Sequence, residues 1–179
     1  MSKKALFLDR DGVINKDLGY VSKKEDFIFT NGIFNLVRFA KKQDYLVIVI
    51  TNQSGIARGF YSEKEFNLLT KWMCEVFKSN DSLIDKVYFC PSLPFKKKQK
   101  NLKENYMRKP NPGMIFEAKK DFDLDLTKSV LIGDKITDVQ AGISARVGIN
   151  LLFNESIKLE KPKDFKKVTY LKEAIPYLK

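Results

Sequence analysis

Two carboxylates stand two residues apart near the start of the chain, directly after a short apolar run. Ala5 to Leu8 is followed by Asp9 and Asp11. At this spacing one carboxylate can act as a nucleophile while the other lies close enough to transfer a proton. Because clustered carboxylates repel each other, a hard cation such as Mg²⁺ would relieve that repulsion. Taken alone, an Asp-x-Asp after a strand is more often part of ordinary turn or capping chemistry.

Three further polar residues stand at comparable places in the chain. Thr51 follows the most apolar run, Asp134 follows a later one, and Lys109 precedes a predicted helix. A threonine hydroxyl and the backbone N–H groups of the turn after it are good phosphate donors. Asp134 would add an oxygen ligand for Mg²⁺, and Lys109 would add positive charge. Each residue alone has a plain explanation as a strand exit, a turn or one of 33 basic residues.

Five apolar runs predict strands, and segments with helical spacing lie between them. Ser62 and Glu65 fit a capping box that begins one of these helices. Strands that alternate with helices predict an α/β fold, a Rossmann-like parallel sheet with helices on both faces. The carboxyl ends of the strands form the crevice of such a sheet, so the polar residues above should meet there. The predicted strands are 5–8, 45–50, 86–89, 129–132 and 148–152, and the predicted helices are 33–40, 62–78, 112–122, 136–145 and a short one from 171.

The length and composition fit one domain over residues 1–179, without an internal repeat or a domain linker. The chain is 44% hydrophobic and 31% charged, as in globular proteins. No apolar run approaches the roughly 20 residues that span a bilayer, and the first residues do not fit a signal peptide. Cys74 and Cys90 form no Cys-x-x-Cys pair, which fits a reducing compartment. We therefore expect a cytoplasmic protein without a membrane partner.

The chain contains no histidine and carries a net charge of +11. Acid–base chemistry therefore falls to carboxylates, lysine or tyrosine, and zinc sites built on imidazole are excluded. A positive charge favours anionic partners such as phosphates, nucleic acids or acidic membranes. A lysine-rich chain is also simply soluble, and the lysines here are spread over the whole sequence.

The polar residues resemble, in type and in order, the four motifs of the haloacid dehalogenase superfamily. The resemblance extends over about residues 4–155 and implies a phosphatase, here without a large inserted cap domain. In that reading Asp9 is the nucleophile that forms an aspartyl-phosphate, and Asp11 is the general acid and base. The matching residues are Asp9-Arg10-Asp11-Gly12-Val13, Thr51, Lys109 and Gly133-Asp134-x-x-x-Asp138.

The same resemblance assigns the remaining residues of the motifs. Thr51 and Lys109 would stabilise the phosphoryl group. Mg²⁺ would be held by Asp9, by the backbone carbonyl of Asp11 and by Asp134. Asp138 would position Lys109 or the metal site from behind.

Longer stretches resemble one branch of the superfamily, the D-glycero-D-manno-heptose 1,7-bisphosphate phosphatases, which are close to the histidinol-phosphate phosphatases. This resemblance implies a monomer that removes the C7 phosphate of a small sugar phosphate and leaves the 1-phosphate for nucleotide activation. That step feeds nucleotide-heptose biosynthesis for lipopolysaccharide and other surface polymers. The matching stretches are 9–15, 19–21, 51–59, 108–114 and 133–135, and the implied substrate-binding residues are Asp17, Gly19, Tyr20, Asn52, Gln53, Ser54, Arg108 and Lys135.

One departure from the branch concerns a structural zinc that its members usually bind before Arg-Lys-Pro. The positions that match its ligands are Cys90, Ser92, Asn105 and Met107. One thiolate cannot hold a tetrahedral zinc, so we predict that no zinc is bound. Cys90 is then expected to be a semi-buried thiol.

Three alternatives stay open at this point. Histidinol-phosphate phosphatases are nearest, but they usually differ after Asn52-Gln53. A polynucleotide 3′-phosphatase shares the Thr-Asn-Gln segment and suits the net charge. Two features argue against a nucleic-acid partner: Gly19-Tyr20-Val21 matches the sugar-phosphate branch, and aromatic residues are not interspersed among the basic ones. A scaffold without catalysis is the third, and the intact acidic residues and Lys109 argue against it.

Overall fold

The computed structural model describes residues 2–94, 105–153 and 164–179, in which six strands form one sheet. The strands are predominantly apolar, as expected of a sheet covered on both faces. They are β1 (Lys4–Leu8), β2 (Tyr45–Asn52), β3 (Lys86–Cys90), β4 (Val130–Gly133), β5 (Ile149–Phe153) and β6 (Lys166–Val168).

Every pairing in this sheet is parallel, and the strand order is β3-β2-β1-β4-β5-β6. The chain therefore starts in the middle of the sheet, builds outward through β2 and β3, and then crosses to β4 on the other side of β1. Leu8 pairs with Val49 on one side and with Ile132 on the other. The carboxyl ends of β1, β2 and β4 consequently lie side by side, and this point of reversal is where such sheets bind ligands.

Within the described residues, five α-helices lie between the strands. The longest begins with the predicted capping box: the Ser62 hydroxyl accepts from Glu65 N, and the Glu65 carboxylate accepts from Ser62 N at 2.7 Å. The helices are α1 (Ile33–Lys42), α2 (Ser54–Ala57), α3 (Glu63–Ser79), α4 (Gly113–Phe122) and α5 (Ile136–Ser144).

Alternation along β1 divides the core between the two faces of the sheet. Leu6 and Leu8 point into a cluster that contains apolar residues of α1 and α3. Ala5 and Phe7 point into the opposite cluster, which contains residues of α4 and α5. The acidic loop after β1 is therefore anchored by a strand that is buried on both faces.

The predicted α/β fold is confirmed, with element ends that shift by one or two residues. The short helix predicted from residue 171 is present as a 3₁₀ helix, Leu171–Tyr177, with Pro176 inside it. Strand β6 was not predicted, because its three residues include two exposed lysines and no apolar run. The predicted surface loop 91–109 lies partly outside the described residues.

Candidate active site

The loops after β1, β2 and β4 bring the predicted residues together. Asp9 is the first residue after β1, and its N–H donates to the carbonyl of Ile132 on β4 at 3.1 Å. Thr51 lies at the end of β2, and Asp134 follows β4. Asp9 and Thr51 are 7% and 1% exposed, so their polar atoms lie at the base of a crevice rather than on the surface.

Lys109 occupies the centre of this cluster although it comes from a loop outside the sheet. Its ammonium group lies 2.9 Å from Asp9 Oδ1 and 2.7 Å from Asp138 Oδ1, and it donates to the carbonyl of Ile50 at 2.8 Å. An ammonium group has three N–H donors, and these three acceptors use all of them. A buried lysine held in this way keeps one fixed position.

Asn52 fixes the backbone of Lys109 to the end of β2. The Asn52 side-chain amide donates to the carbonyl of Lys109 at 3.0 Å and accepts from its N–H at 3.1 Å. The paired contacts mimic a step of strand pairing. The lysine is thus held at both its backbone and its ammonium group.

Burial and mutual repulsion perturb the carboxylates of the site. Burial raises the pKa of Asp9 to about 6; the charge of Lys109 counteracts this, while that of Asp138 adds to it. Burial, followed by the charge of Asp9, raises the pKa of Asp134 to about 8. Burial works against the charged form of Lys109, but the carboxylates of Asp138 and Asp9 prevail and raise its pKa.

Carboxylate oxygens of Asp9, Asp134 and Asp138 lie within 4.8 Å of one another. Only oxygen ligands are present in this group, which suits Mg²⁺ and not a soft metal. Both oxygens of Asp138 are already engaged, Oδ1 by Lys109 and Oδ2 by the N–H of Lys135 at 2.9 Å. The residues therefore fit a hard cation held by Asp9 and Asp134, with Asp138 behind them.

Two glycines make the close approach of the acidic loops possible. Gly12 has φ of +96°, and a Cβ at this position would overlap the carboxyl group of Asp134. A Cβ at Gly133 would overlap the side chain of Asp138. The loops after β1 and β4 can therefore bring their carboxylates together only with glycine at both places.

The carboxylate of Asp11 is held by three neighbouring side chains. Arg10, which is almost fully buried, donates to both oxygens at 2.9 and 3.0 Å. Asn15 donates to Oδ1 at 3.0 Å, and Gln53 donates to Oδ2 at 2.9 Å. Arg10 also donates to the carbonyl of Val21 at 2.7 Å, which ties this loop to the segment that carries Asp17, Gly19 and Tyr20.

A cavity of about 560 Å³ opens over Asp9, Thr51 and Lys109. Asp134 is not among the lining residues, and it joins the site through its carboxylate, which lies within 4.8 Å of those of Asp9 and Asp138. The other predicted residues all line the cavity: Asp11, Asp17, Gly19, Tyr20, Asn52, Gln53, Ser54, Arg108, Lys135 and Asp138.

Basic side chains lie at the rim of the cavity. Lys135 contacts Asp17 at 2.8 Å and Asp134 at 3.7 Å, and Arg108 donates to the carbonyl of Ser92 at 2.7 Å. Burial opposes the charge on Lys135, but the hydrogen bond to Asp17 and the charge of Asp134 raise its pKa. These side chains and the buried Lys109 place positive charge around the cavity.

Among the described residues, sequence reasoning missed four that line the cavity: Tyr61, Pro94, Pro110 and Thr137. Tyr61 lies beyond the motif that ends at Gly59, and only the turn that leads into α3 returns it to the site. Thr137 lies between Asp134 and Asp138, so its position in the same motif was an available signal.

The four positions that match the zinc ligands of the related branch are all within the described residues. Cys90 is buried, and its sulfur lies 3.0 Å from the Ser92 hydroxyl. Asn105 accepts from the N–H of Met107 through its side chain. The absence of zinc stays a prediction.

Comparison with known proteins identifies the family. Residues 5–170 match the family described as polynucleotide kinase 3 phosphatase. The chain belongs to this family. Across the described parts of the chain, no helix combines the length and apolar character needed to cross a membrane.

Individual relatives of this phosphatase carry more specific names. The chain is 55% identical to a D-glycero-alpha-D-manno-heptose-1,7-bisphosphate 7-phosphatase of Burkholderia mallei, over 85% of this chain and 80% of the relative. It is 44% identical to a D-glycero-beta-D-manno-heptose-1,7-bisphosphate 7-phosphatase of Helicobacter pylori, over 99% of each. The resemblance to heptose bisphosphate phosphatases is therefore confirmed.

A solved structure agrees with the fold of the phosphatase. The D,D-heptose 1,7-bisphosphate phosphatase of B. bronchiseptica, solved with magnesium and phosphate, superimposes with a TM-score of 0.83. It is 27% identical to this chain and covers 98% of it and 97% of its own length. The chain is a phosphatase of the haloacid dehalogenase superfamily.

Proposed function

We propose that this phosphatase hydrolyses the C7 phosphate of D-glycero-D-manno-heptose 1,7-bisphosphate through an aspartyl-phosphate on Asp9, with Mg²⁺ as its cofactor. The observation that carries the chemistry is the position of Asp9, at the base of the cavity and 2.9 Å from the buried ammonium group of Lys109. The substrate is supported by the names of relatives that match nearly the whole chain.

The two oxygens of Asp9 differ in their contacts, and we use this difference to propose a role for each. Oδ1 accepts from Lys109 and, at 2.7 Å, from the N–H of Arg10. We assign the attack on phosphorus to Oδ2. The bond between phosphorus and the C7 oxygen breaks in this step, and Lys109 and the Thr51 hydroxyl stabilise the charge on the phosphoryl oxygens.

Asp11 would serve both halves of the reaction. Its protonated carboxyl group donates a proton to the departing C7 oxygen, which leaves as an alcohol. The resulting carboxylate then removes a proton from water, and that water attacks the phosphorus of the aspartyl-phosphate. Inorganic phosphate leaves, and Asp9 and the proton on Asp11 are both restored.

Asp9, Asp134 and the backbone carbonyl of Asp11 are the groups that would hold Mg²⁺. When bound, the cation would neutralise phosphate charge and hold the phosphate in line with Asp9. Asp138 would act through Lys109, which it contacts at 2.7 Å.

The rim of the cavity suits a substrate with a phosphate at each end. With one phosphate over Asp9, Lys135 and Arg108 lie where the second phosphate or the sugar hydroxyls can be bound. The retained 1-phosphate fits a later nucleotide activation that serves lipopolysaccharide or another surface polymer. We propose a cytoplasmic monomer for this reaction.

A polynucleotide 3′-phosphatase is the second candidate. The description of the matched family and the net charge of +11 favour it. A nucleic-acid strand would need a groove that follows its backbone, with aromatic residues for the bases. Among the described residues, the aromatic side chains that line the cavity at Asp9 are Tyr20 and Tyr61, and Tyr61 is buried against α2 rather than open to a base.

Phosphate release from a panel of substrates distinguishes these functions. The panel contains both anomers of heptose 1,7-bisphosphate, histidinol phosphate and a 3′-phosphorylated oligonucleotide, each with Mg²⁺ and with a chelator. We expect Mg²⁺-dependent release with a strong preference for one heptose anomer. A preference for the oligonucleotide or for histidinol phosphate would overturn the proposed substrate but keep the chemistry.

A further inference from the structure

Tyr61 is a buried tyrosine at the active site that the mechanism above does not use. Its hydroxyl donates to Gln53 Oε1 at 2.5 Å, and its side chain is 6% exposed. The ring packs so closely on α2 that a Cβ at Gly55 would overlap it. Because burial raises the pKa of Tyr61 to about 12, the hydroxyl stays protonated and acts as the donor.

The contact with Tyr61 determines which way the Gln53 amide faces. A glutamine amide can be turned over at little cost unless its neighbours distinguish oxygen from nitrogen. Here Oε1 faces a hydroxyl donor, so Nε2 faces the other way. Nε2 donates to Asp11 Oδ2 at 2.9 Å and to Thr51 Oγ1 at 2.8 Å.

These contacts give the hydrogen bonds a single direction. Tyr61 donates to Gln53, and Gln53 donates to Thr51. Because Thr51 Oγ1 accepts, its own O–H is directed elsewhere and can donate to a phosphoryl oxygen. Each bond in such a chain polarises the next in a buried environment.

We propose that Tyr61 is a positioning residue that acts only through Gln53, orienting the Asp11 carboxyl group and the Thr51 hydroxyl for phosphoryl transfer. The inference rests on the proposed function, because it requires Asp11 to protonate the leaving group. Both targets of Gln53 act on the same step, so one amide coordinates proton delivery with stabilisation of the phosphoryl group.

The test compares kcat/KM for Tyr61→Phe, Gln53→Ala and the double variant. Removing the Tyr61 hydroxyl should lower kcat/KM for heptose 1,7-bisphosphate about 3- to 10-fold, the usual range for one lost hydrogen bond. In the Gln53→Ala background the same change should have no further effect, because the route through the amide is already broken. An undiminished loss in that background would overturn the proposal.

A second substrate separates proton delivery from general damage to the site. An aryl phosphate such as p-nitrophenyl phosphate has a good leaving group that needs little protonation. Tyr61→Phe should therefore lower kcat/KM less for this substrate than for heptose 1,7-bisphosphate, and the loss that remains reports the displaced Thr51 hydroxyl. Equal losses for both substrates would overturn the assignment to Asp11.

Tyr88→Phe is the matched control. The Tyr88 hydroxyl donates to Asp121 at 2.6 Å, and neither residue lines the cavity. This variant loses a comparable hydrogen bond and should keep the wild-type kcat/KM. If Tyr61→Phe does not fold, Gln53→Ala alone tests the proposal. Gln53→Ala should lower kcat/KM at least as much as is predicted for Tyr61→Phe. A wild-type kcat/KM for Gln53→Ala would overturn the proposal. An inactive wild type would refute the proposed function itself, whereas an active wild type with unaffected Tyr61→Phe would refute only this inference.

Discussion

The ammonium group of Lys109 lies 2.9 Å from Asp9 Oδ1, and both side chains are buried at the carboxyl end of the central strand. Asp138 contacts the same ammonium group from the other side. One cation therefore compensates two buried carboxylates. The charge balance of the site therefore depends on Lys109, which lies in a loop and not in a strand of the sheet.

Replacing Lys109 by methionine should damage both stability and activity. The change leaves Asp9 and Asp138 buried without their cation, and breaking a buried ion pair typically costs about 3–5 kcal/mol. We expect the free energy of unfolding, measured by urea denaturation near pH 8, to fall by roughly that amount. Lys120→Met, at an exposed position of α4, is the control and should change it little. Equal stability of the two variants would contradict the proposed charge balance.

Mg²⁺ should stabilise the protein more strongly as the pH rises. The folded-state pKa values of Asp9 and Asp134, about 6 and about 8, lie above the ordinary value of 3.8. The folded state therefore binds protons more tightly than the unfolded state. Without metal, the stability from these protons is complete below about pH 4 and is lost as the pH rises through both values.

Thermal unfolding at about pH 5.5 and about pH 8.5, with Mg²⁺ or with a chelator, measures this effect. The increase in Tm caused by Mg²⁺ should be larger at the higher pH, where both carboxylates are ionised and repel each other. An increase that is absent or smaller at the higher pH would refute this account of the metal site.

Alanine at Gly12 should disrupt the approach of Asp134 to Asp9. The new Cβ would overlap the Asp134 carboxyl group, and φ is +96°. A displacement of about 1 Å can cost on the order of 100-fold in rate, so we expect kcat/KM to fall at least that far. Gly59→Ala is a matched control, because φ is +73° and no atom lies within 4 Å of the new Cβ. Similar losses in the two variants would indicate backbone strain rather than a displaced carboxylate.

Removing the Lys135 side chain should weaken substrate binding more than catalysis. Lys135 contacts Asp17 at the rim and is half exposed, so we expect Lys135→Ala to raise KM about 10-fold with a smaller change in kcat. Lys128→Ala is the control. Among the described residues, the ammonium group of Lys128 forms one ion pair, with Asp125 at 3.4 Å, so this variant should leave kcat and KM unchanged. A fall in kcat at constant KM would place Lys135 in the chemical step instead.

The sequence was sufficient to predict where the site residues meet. Buried parallel strands are recognisable as apolar runs, and their carboxyl ends lie along one edge of the sheet. It could not predict β6, whose two exposed lysines carry no strand pattern and whose pairing depends on β5. Nor could it reveal that Asn52 holds the backbone of Lys109, since that contact joins residues 57 positions apart.

Tyr61 shows the same limit within the site. A tyrosine before a capping box is unremarkable in sequence, and only the turn between α2 and α3 directs its hydroxyl to Gln53. The resemblance to a superfamily supplied the roles of Lys109 and Asp138, which spacing alone did not. The assignment of roles to the site residues stays a prediction until variants are measured.

The central claim is that Asp9 becomes phosphorylated, and acid quenching during turnover tests it most directly. Quenched wild-type protein should carry one phosphoryl group on the peptide that contains Asp9, as measured by mass spectrometry. Asp9→Asn should fold normally, because the amide oxygen can still accept from Lys109, and it should carry no phosphoryl group and release no phosphate. Phosphate release by Asp9→Asn at a rate near that of the wild type would contradict the account.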